Sequence, residues 1–209
     1  MGILTFGVFS GFRKRTGPLV GRTVNHKNVV SMVGHASSVP ASSGQLEQQL
    51  MFKLVVLLLA RFKNLIAIGF TYKGVRSAFN AAVKYNFQHV VLGNFPDYHI
   101  DYARVMYSRG KLAGPSCPSV SAGTAGNLRF SWLAGEQNRF SRYTDKATFL
   151  VYSPSRKLAA TAIGKATRSD LVYEMVLPSG FSDAELHCYM GFVSADGKEV
   201  SNSVYLGVI

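Results

Sequence analysis

The residues that could do chemistry are few and scattered. Five histidines, His26, His35, His89, His99 and His187, lie far apart with no spacing typical of zinc ligands. No Cys-x-x-Cys, His-Glu-x-x-His, Walker loop or nucleophile elbow occurs. Each histidine is expected on a surface or strand face rather than as a ligand or base. Asp97, His99 and Asp101 alternate, so a strand would project two carboxylates and an imidazole from one face, a set that suits a divalent cation. The reading we favour turns Tyr98, Ile100 and Tyr102 inward and leaves the three polar residues on a solvated edge. Of the two cysteines, Cys188 is expected to be a small core hydrophobe and Cys117 the more exposed; two are too few for a disulfide scaffold, and a reducing compartment is the default. Glycines 2, 7, 11, 17 and 21 could cradle an anion with their N–H groups, but no Gly-Lys-Ser/Thr follows, and close packing of the backbone explains them better. The chain is therefore expected to be non-enzymatic, with no catalytic residue, no metal ligand and no cofactor.

One feature stands above background. The formal charge of +12 is uneven: residues 1–96 hold 11 basic residues and one acid, Glu47, whereas residues 97–209 hold 12 basic and 10 acidic. Arg13, Lys14, Arg15, Arg22 and Lys27, followed by Lys53, Arg61 and Lys63, are the candidate phosphate contacts, with Lys73, Arg76 and Lys84 beyond them. Phe12, Phe52, Phe62, Tyr72, Phe79, Tyr85 and Phe87 are interleaved with these charges as stacking platforms would be, although most also fall at helical spacing. Nucleic acid is thus one candidate partner.

The elements that must position these residues fall into three stretches, and the expected fold class is α+β. Residues 1–44 read as a Gly-rich basic arm and linker, with short apolar pieces that need a partner surface. Residues 45–96 read as a helical segment. Leu46, Leu50, Leu54, Leu57 and Leu58 recur at helical spacing with no Gly or Pro before Gly69; a second helix runs from Ser77, its cap, to Leu92, with Gly93 as its stop. Residues 97–209 read as an antiparallel β-sandwich. Its seven expected strands are Ile100 to Ser108, Asn127 to Trp132, Ala147 to Tyr152, Leu158 to Ile163, Asp170 to Leu177, Glu185 to Val193 and Ser203 to Val208, with Asp196-Gly197 as the last hairpin turn. The strongest apolar run, Leu54 to Ala60, is seven residues, far below the roughly 20 that span a bilayer. The N-terminus places its apolar residues before its basic cluster, the reverse of a secretory signal, so a cytoplasmic location, or a virion for a viral gene, is expected.

The segments Leu128-Arg-Phe-Ser-Trp132, Ala147-Thr-Phe-Leu-Val-Tyr152 and Leu186-His-Cys-Tyr-Met-Gly-Phe-Val-Ser-Ala-Asp-Gly197 resemble the second, third and penultimate strands of a fibronectin type III or related immunoglobulin-like domain. Alternation along the last of these segments then points Leu186, Cys188, Met190 and Phe192 into the core. Over nearly its full length the chain also resembles an uncharacterised family of roughly 200-residue Bacteroidota proteins. The resemblance rests on Gly7-Val-Phe-Ser-Gly-Phe-Arg-Lys-Arg-Thr-Gly-Pro-Leu-Val-Gly21, Phe79-Asn-Ala-Ala-Val-Lys-Tyr-Asn86, Pro96-Asp-Tyr-His-Ile-Asp-Tyr102 and the closing Phe192 to Gly207. It supports the layout and supplies no catalytic residue.

Three function classes follow. The first is a structural protein that assembles through its N-terminal arm, residues 1–35 adding a strand to a neighbour's sheet edge to give a homo-oligomer or particle. The second is a nucleic-acid-associated protein that binds phosphates through the basic first half. The third is an immunoglobulin-like module for a ligand or carbohydrate.

Overall fold

A computed structural model describes residues 2–4, 11–24, 26–34, 38–70, 77–123, 126–181 and 185–209. His35, Tyr72, Lys73 and Arg76, all weighed above, lie outside them. The chain divides into two compact units, Met1–Ser42 and Ser43–Ile209.

The first unit carries four short strands: β1 (Gly2–Leu4), β2 (Lys14–Thr16), β3 (Leu19–Val24) and β4 (Lys27–Met32). They form one antiparallel sheet in the order β1-β4-β3-β2. The stretch expected as an extended arm therefore pairs with itself. Gly17 at a φ of 57° and Pro18 turn β2 into β3, and His26 at 63° helps turn β3 into β4. A Cβ on Gly21 would run into the ring and carbonyl of Phe12, so the backbone approach inferred for the glycines occurs there.

The second unit begins with α1 (Ser43–Ala60), α2 (Lys63–Gly69) and α3 (Ala78–His89). The hairpin of β5 (Val91–Asn94) and β6 (Asp97–Ile100) follows. Seven further strands are β7 (Ser116–Ala122), β8 (Leu128–Leu133), β9 (Lys146–Ser153), β10 (Leu158–Thr167), β11 (Val172–Met175), β12 (His187–Val193) and β13 (Val204–Val208). They make two antiparallel sheets, β11-β8-β7 and β10-β9-β12-β13, so the fold is mixed α+β. No helix among the described residues is long and apolar enough to cross a membrane.

Two cores lie back to back across the four-stranded sheet. Between the sheets, Phe130 and Trp132 of β8 meet Phe149 of β9 and Cys188, Met190 and Phe192 of β12, the inward set that alternation gives. On the other face, Leu150, Tyr152 and Tyr189 pack against Val55, Leu59, Phe62 and Ile66 of the helical layer. Every residue of β12 is buried, because both of its faces are covered. Helical segment and sandwich thus share a core within one compact unit.

The first expected strand, Ile100 to Ser108, is replaced. Asp101 accepts from the Ala103 N–H and opens a 3-10 turn, Tyr102–Arg104. The extended residues after it do not join a ladder; their hydrogen bonds go to several elements. Met106 is held by the side chain of Asn86, the Tyr107 N–H by Ser203 Oγ and the Arg109 N–H by the Gly69 carbonyl. The strand that takes its place in the sandwich is β7, whose Pro118 is tolerated because β7 is an edge.

Candidate functional site

The small sheet gathers part of the basic set. In antiparallel pairing, residues directly opposite share a face. Arg15 lies opposite Val20, Arg22 opposite Val29 and Lys27 opposite Val24. Alternation therefore places Arg15, Arg22 and Lys27 on one face together with Ile3, Val20, Val24 and Val29. Lys14, opposite Gly21, is on the other face with Leu19 and Met32, and Arg13 precedes the strand; all five cations are exposed. Residues 1–42 contain no Asp or Glu at all. Among the described residues of this unit only Gly21 and Val29 are buried, while Ile3 is 56 % and Met32 70 % exposed.

The remaining candidates stand on the larger unit. Lys53 is exposed on α1, Arg61 lies in the turn after it, and Lys63 opens α2. Arg61 meets a cation from a distant turn, Lys157 between β9 and β10: both line a groove of about 210 Å³ with Leu54, Ile100, Tyr102 and Tyr152. The interleaved aromatics divide. Phe62 is core, Phe12, Phe79 and Phe87 are half-buried, Phe52 is exposed, and Tyr85 stacks on His89 at 4.3 Å beneath the Arg109 guanidinium.

Beside that groove, phenols and one imidazole gather on the helix-facing side of the four-stranded sheet. The His187 ring stacks on Tyr102 at 4.3 Å, its Nδ1 is 2.8 Å from the Tyr205 hydroxyl, and its Nε2 is 3.8 Å from Glu185. Burial lowers the pKa of His187, with Glu185 pulling the other way. The Tyr189 hydroxyl donates to the Tyr102 carbonyl at 2.7 Å, and that of Tyr107 to the Thr148 carbonyl at 3.1 Å. Burial raises the pKa of Tyr102, Tyr107, Tyr152 and Tyr189, so at neutral pH these phenols are protonated donors. Asp97 and His99 are exposed and Asp101 caps its 3-10 turn, while Tyr98 and Ile100 turn toward the body, where the Tyr98 hydroxyl reaches Glu47. Both cysteines are free; Cys117 is exposed, and burial pushes the Cys188 thiol up to about 12.

Residues 11–207 match the model of a family described as a family of unknown function, DUF6266. The chain belongs to that family. No curated protein and no solved structure matches it. The DUF6266 match takes in β2, β3 and β4 of the small sheet as well as both cores of the larger unit.

Two polar positions in this DUF6266 chain were not singled out from the sequence. Asn86 is fully buried on α3 and grips Met106 through both its backbone N–H and its carbonyl, each at 2.9 Å. Arg168 pairs with Asp145 at 3.2 Å, with both side chains at most 5 % exposed. Such polar groups are tolerated inside only with partners, and the partners lie 20 to 55 residues away in sequence.

Proposed function

We propose that this DUF6266 chain is a non-enzymatic assembly protein whose small N-terminal sheet docks onto a second copy of the chain. The observation that carries the reading is the openness of that sheet. Among their described residues the four strands bury one valine and one glycine and leave Ile3, Leu19, Val24 and Met32 exposed, with β1 and β2 as the edge strands of the sheet. A sheet of this size gains independent stability by covering an apolar face. Its charge says what covers it: with five cations and no acid, two such sheets repel, and all 11 carboxylates of the chain lie in residues 43–209. The contact is therefore heterologous, sheet of one copy to body of the next, which builds rings or filaments. The body suits a spacer role. Its first, second and fifth sandwich strands form one sheet and its fourth, third, sixth and seventh the other, an order that supports a fibronectin type III-like reading.

The test compares mass in solution of the full chain with that of residues 43–209, which keep both cores. The full chain is expected to give concentration-dependent oligomers that weaken with salt, and the shortened chain a monomer. An unchanged oligomer, or a monomer in both cases, overturns the reading.

A second reading, binding of nucleic acid, is favoured by Arg15, Arg22 and Lys27 sharing one face of an acid-free unit. It expects affinity for single-stranded DNA at low salt that falls steeply by physiological salt and is lost when the three become Ala. No binding at low salt eliminates it.

A further inference from the structure

Tyr152, next to the end of β9, has its ring in the helix-facing core, 6.5 Å from Phe62, and is 6 % exposed. A phenol so enclosed ordinarily hydrogen-bonds. The Tyr152 hydroxyl has no hydrogen-bond partner among the described residues, yet its oxygen is not sealed off. Tyr152 lines the groove between the end of α1 and the β9–β10 turn.

The groove's other lining residues give that hydroxyl a context. Leu54, Leu57, Ile100 and Pro154 make an apolar wall, Arg61 and Lys157 stand at it as cations, and no carboxylate is among the lining residues. Neither cation has an ion-pair partner among the described residues. Tyr102, its ring 5.7 Å from Tyr152, supplies a second phenol whose oxygen bonds to no described group. Arg61 and Tyr152 both line the groove, and the Arg61 charge pulls the Tyr152 pKa down against the larger upward effect of burial. Two phenols and two cations thus line one groove, and none of these four side chains has an acceptor among the described residues.

We propose that this groove binds a small organic oxyanion, its charged head held by Arg61, Lys157 and the Tyr152 hydroxyl and its short apolar body laid along Leu54, Leu57 and Ile100. The volume, about 210 Å³, matches about seven water-sized groups, room for a head and a short chain. A carboxylate and a phosphate monoester share this chemistry. Low-dielectric walls strengthen charge-assisted bonds to either head, and both phenols stay protonated donors well above neutral pH because burial raises their pKa values. The site is independent of the assembly reading, because every residue in it belongs to the larger unit.

Titration calorimetry of the full chain with hexanoate and with hexyl phosphate distinguishes the two heads. At least one should bind with a stoichiometry of one, and inorganic phosphate or hexanol alone should bind at least tenfold more weakly. Tyr152→Phe removes an oxygen with no internal partner, so it should keep or raise the thermal midpoint while weakening the amphiphile about tenfold or more. Lys157→Gln, at an exposed turn, should weaken it a few-fold. Three results each overturn the proposal: no saturable binding of either amphiphile at millimolar concentration, inorganic phosphate binding as tightly as the amphiphile, or unchanged affinity in a folded Tyr152→Phe protein.

Discussion

The Arg168 guanidinium lies 3.9 Å above the Phe192 ring, donates to the carbonyls of Ala113 at 2.7 Å and Gly114 at 3.2 Å, and meets Asp145 Oδ2 at 3.2 Å. Burial lowers its pKa and Asp145 opposes that shift. Removing Asp145 would strand a buried cation, so Asp145→Ala should cost about 3–5 kcal/mol in denaturant unfolding. The double variant Asp145→Leu with Arg168→Met should cost less than the single change; an equal or larger cost would trace the loss to a cavity rather than to charge. His187 gives the pH dependence. Its native pKa is lowered mainly by burial, so the unfolded chain binds the proton more readily. Its contribution to stability is therefore full above the unfolded value, about 6.5, and is lost as pH falls through the native value. The thermal midpoint should fall between pH 7.5 and pH 5.5, and His187→Gln should flatten that fall; equal slopes would exclude His187 as its source. Such residues show where the sequence stops being legible. Alternation placed Cys188, Met190 and Phe192 inside because a strand's period is local. It could not show that His187 and Tyr189 are buried too, since that depends on the helices covering the opposite face.

Element starts were more legible than element ends: the second helix, expected to run to Leu92 and stop at Gly93, ends at His89, and Val91–Asn94 form β5. Ser77 caps α3 by accepting from the Asn80 N–H at 3.2 Å, as its type and place suggest. The face of α1 was less so. Of the leucine stripe only Leu58 is buried, while Leu46 and Leu57 are exposed, because Leu54 to Ala60 is apolar all round and periodicity cannot choose a side. Nor does any Gly or Pro mark the break at Arg61 and Phe62, where Phe62 turns into the core and α2 starts anew. The helical run ends at Gly69 for a reason outside the helix: a Cβ there would strike the Tyr107 carbonyl and crowd Ser108. That close approach lets the Gly69 carbonyl accept from the Arg109 N–H at 2.9 Å, fastening α2 to the segment that replaces the first expected strand. Gly69→Ala should therefore lower stability by about 1–3 kcal/mol despite its better helix propensity. A midpoint equal to or above that of the parent would mean the segment can move aside at no cost.

At the scale of the molecule, composition divided the charge at Asp97, whereas the two compact units meet between Ser42 and Ser43, inside the acid-free stretch that runs to residue 46. The burial within each unit differs as sharply as the charge. One unit has two cores that wrap both sides of β9 and β12; the other buries Gly21 and Val29 among its described residues. What composition could not show is that the basic stretch pairs with itself, because Arg15-Thr16 and Leu19-Val20 carry no strong hairpin signature beyond Gly17-Pro18. The local free energy of opening should follow this division. In hydrogen exchange at micromolar protein, amides of β3 and β4 should exchange orders of magnitude faster than those of β9 and β12. If a second copy covers the small sheet, mass action makes its protection depend on concentration, rising as [L]/Kd rises, while that of β9 and β12 stays constant. High salt should reverse the gain, because the interface joins an acid-free surface to carboxylates. Protection of β3 and β4 that is high and independent of concentration would instead mean that the sheet is stable within a single chain and needs no partner to cover it.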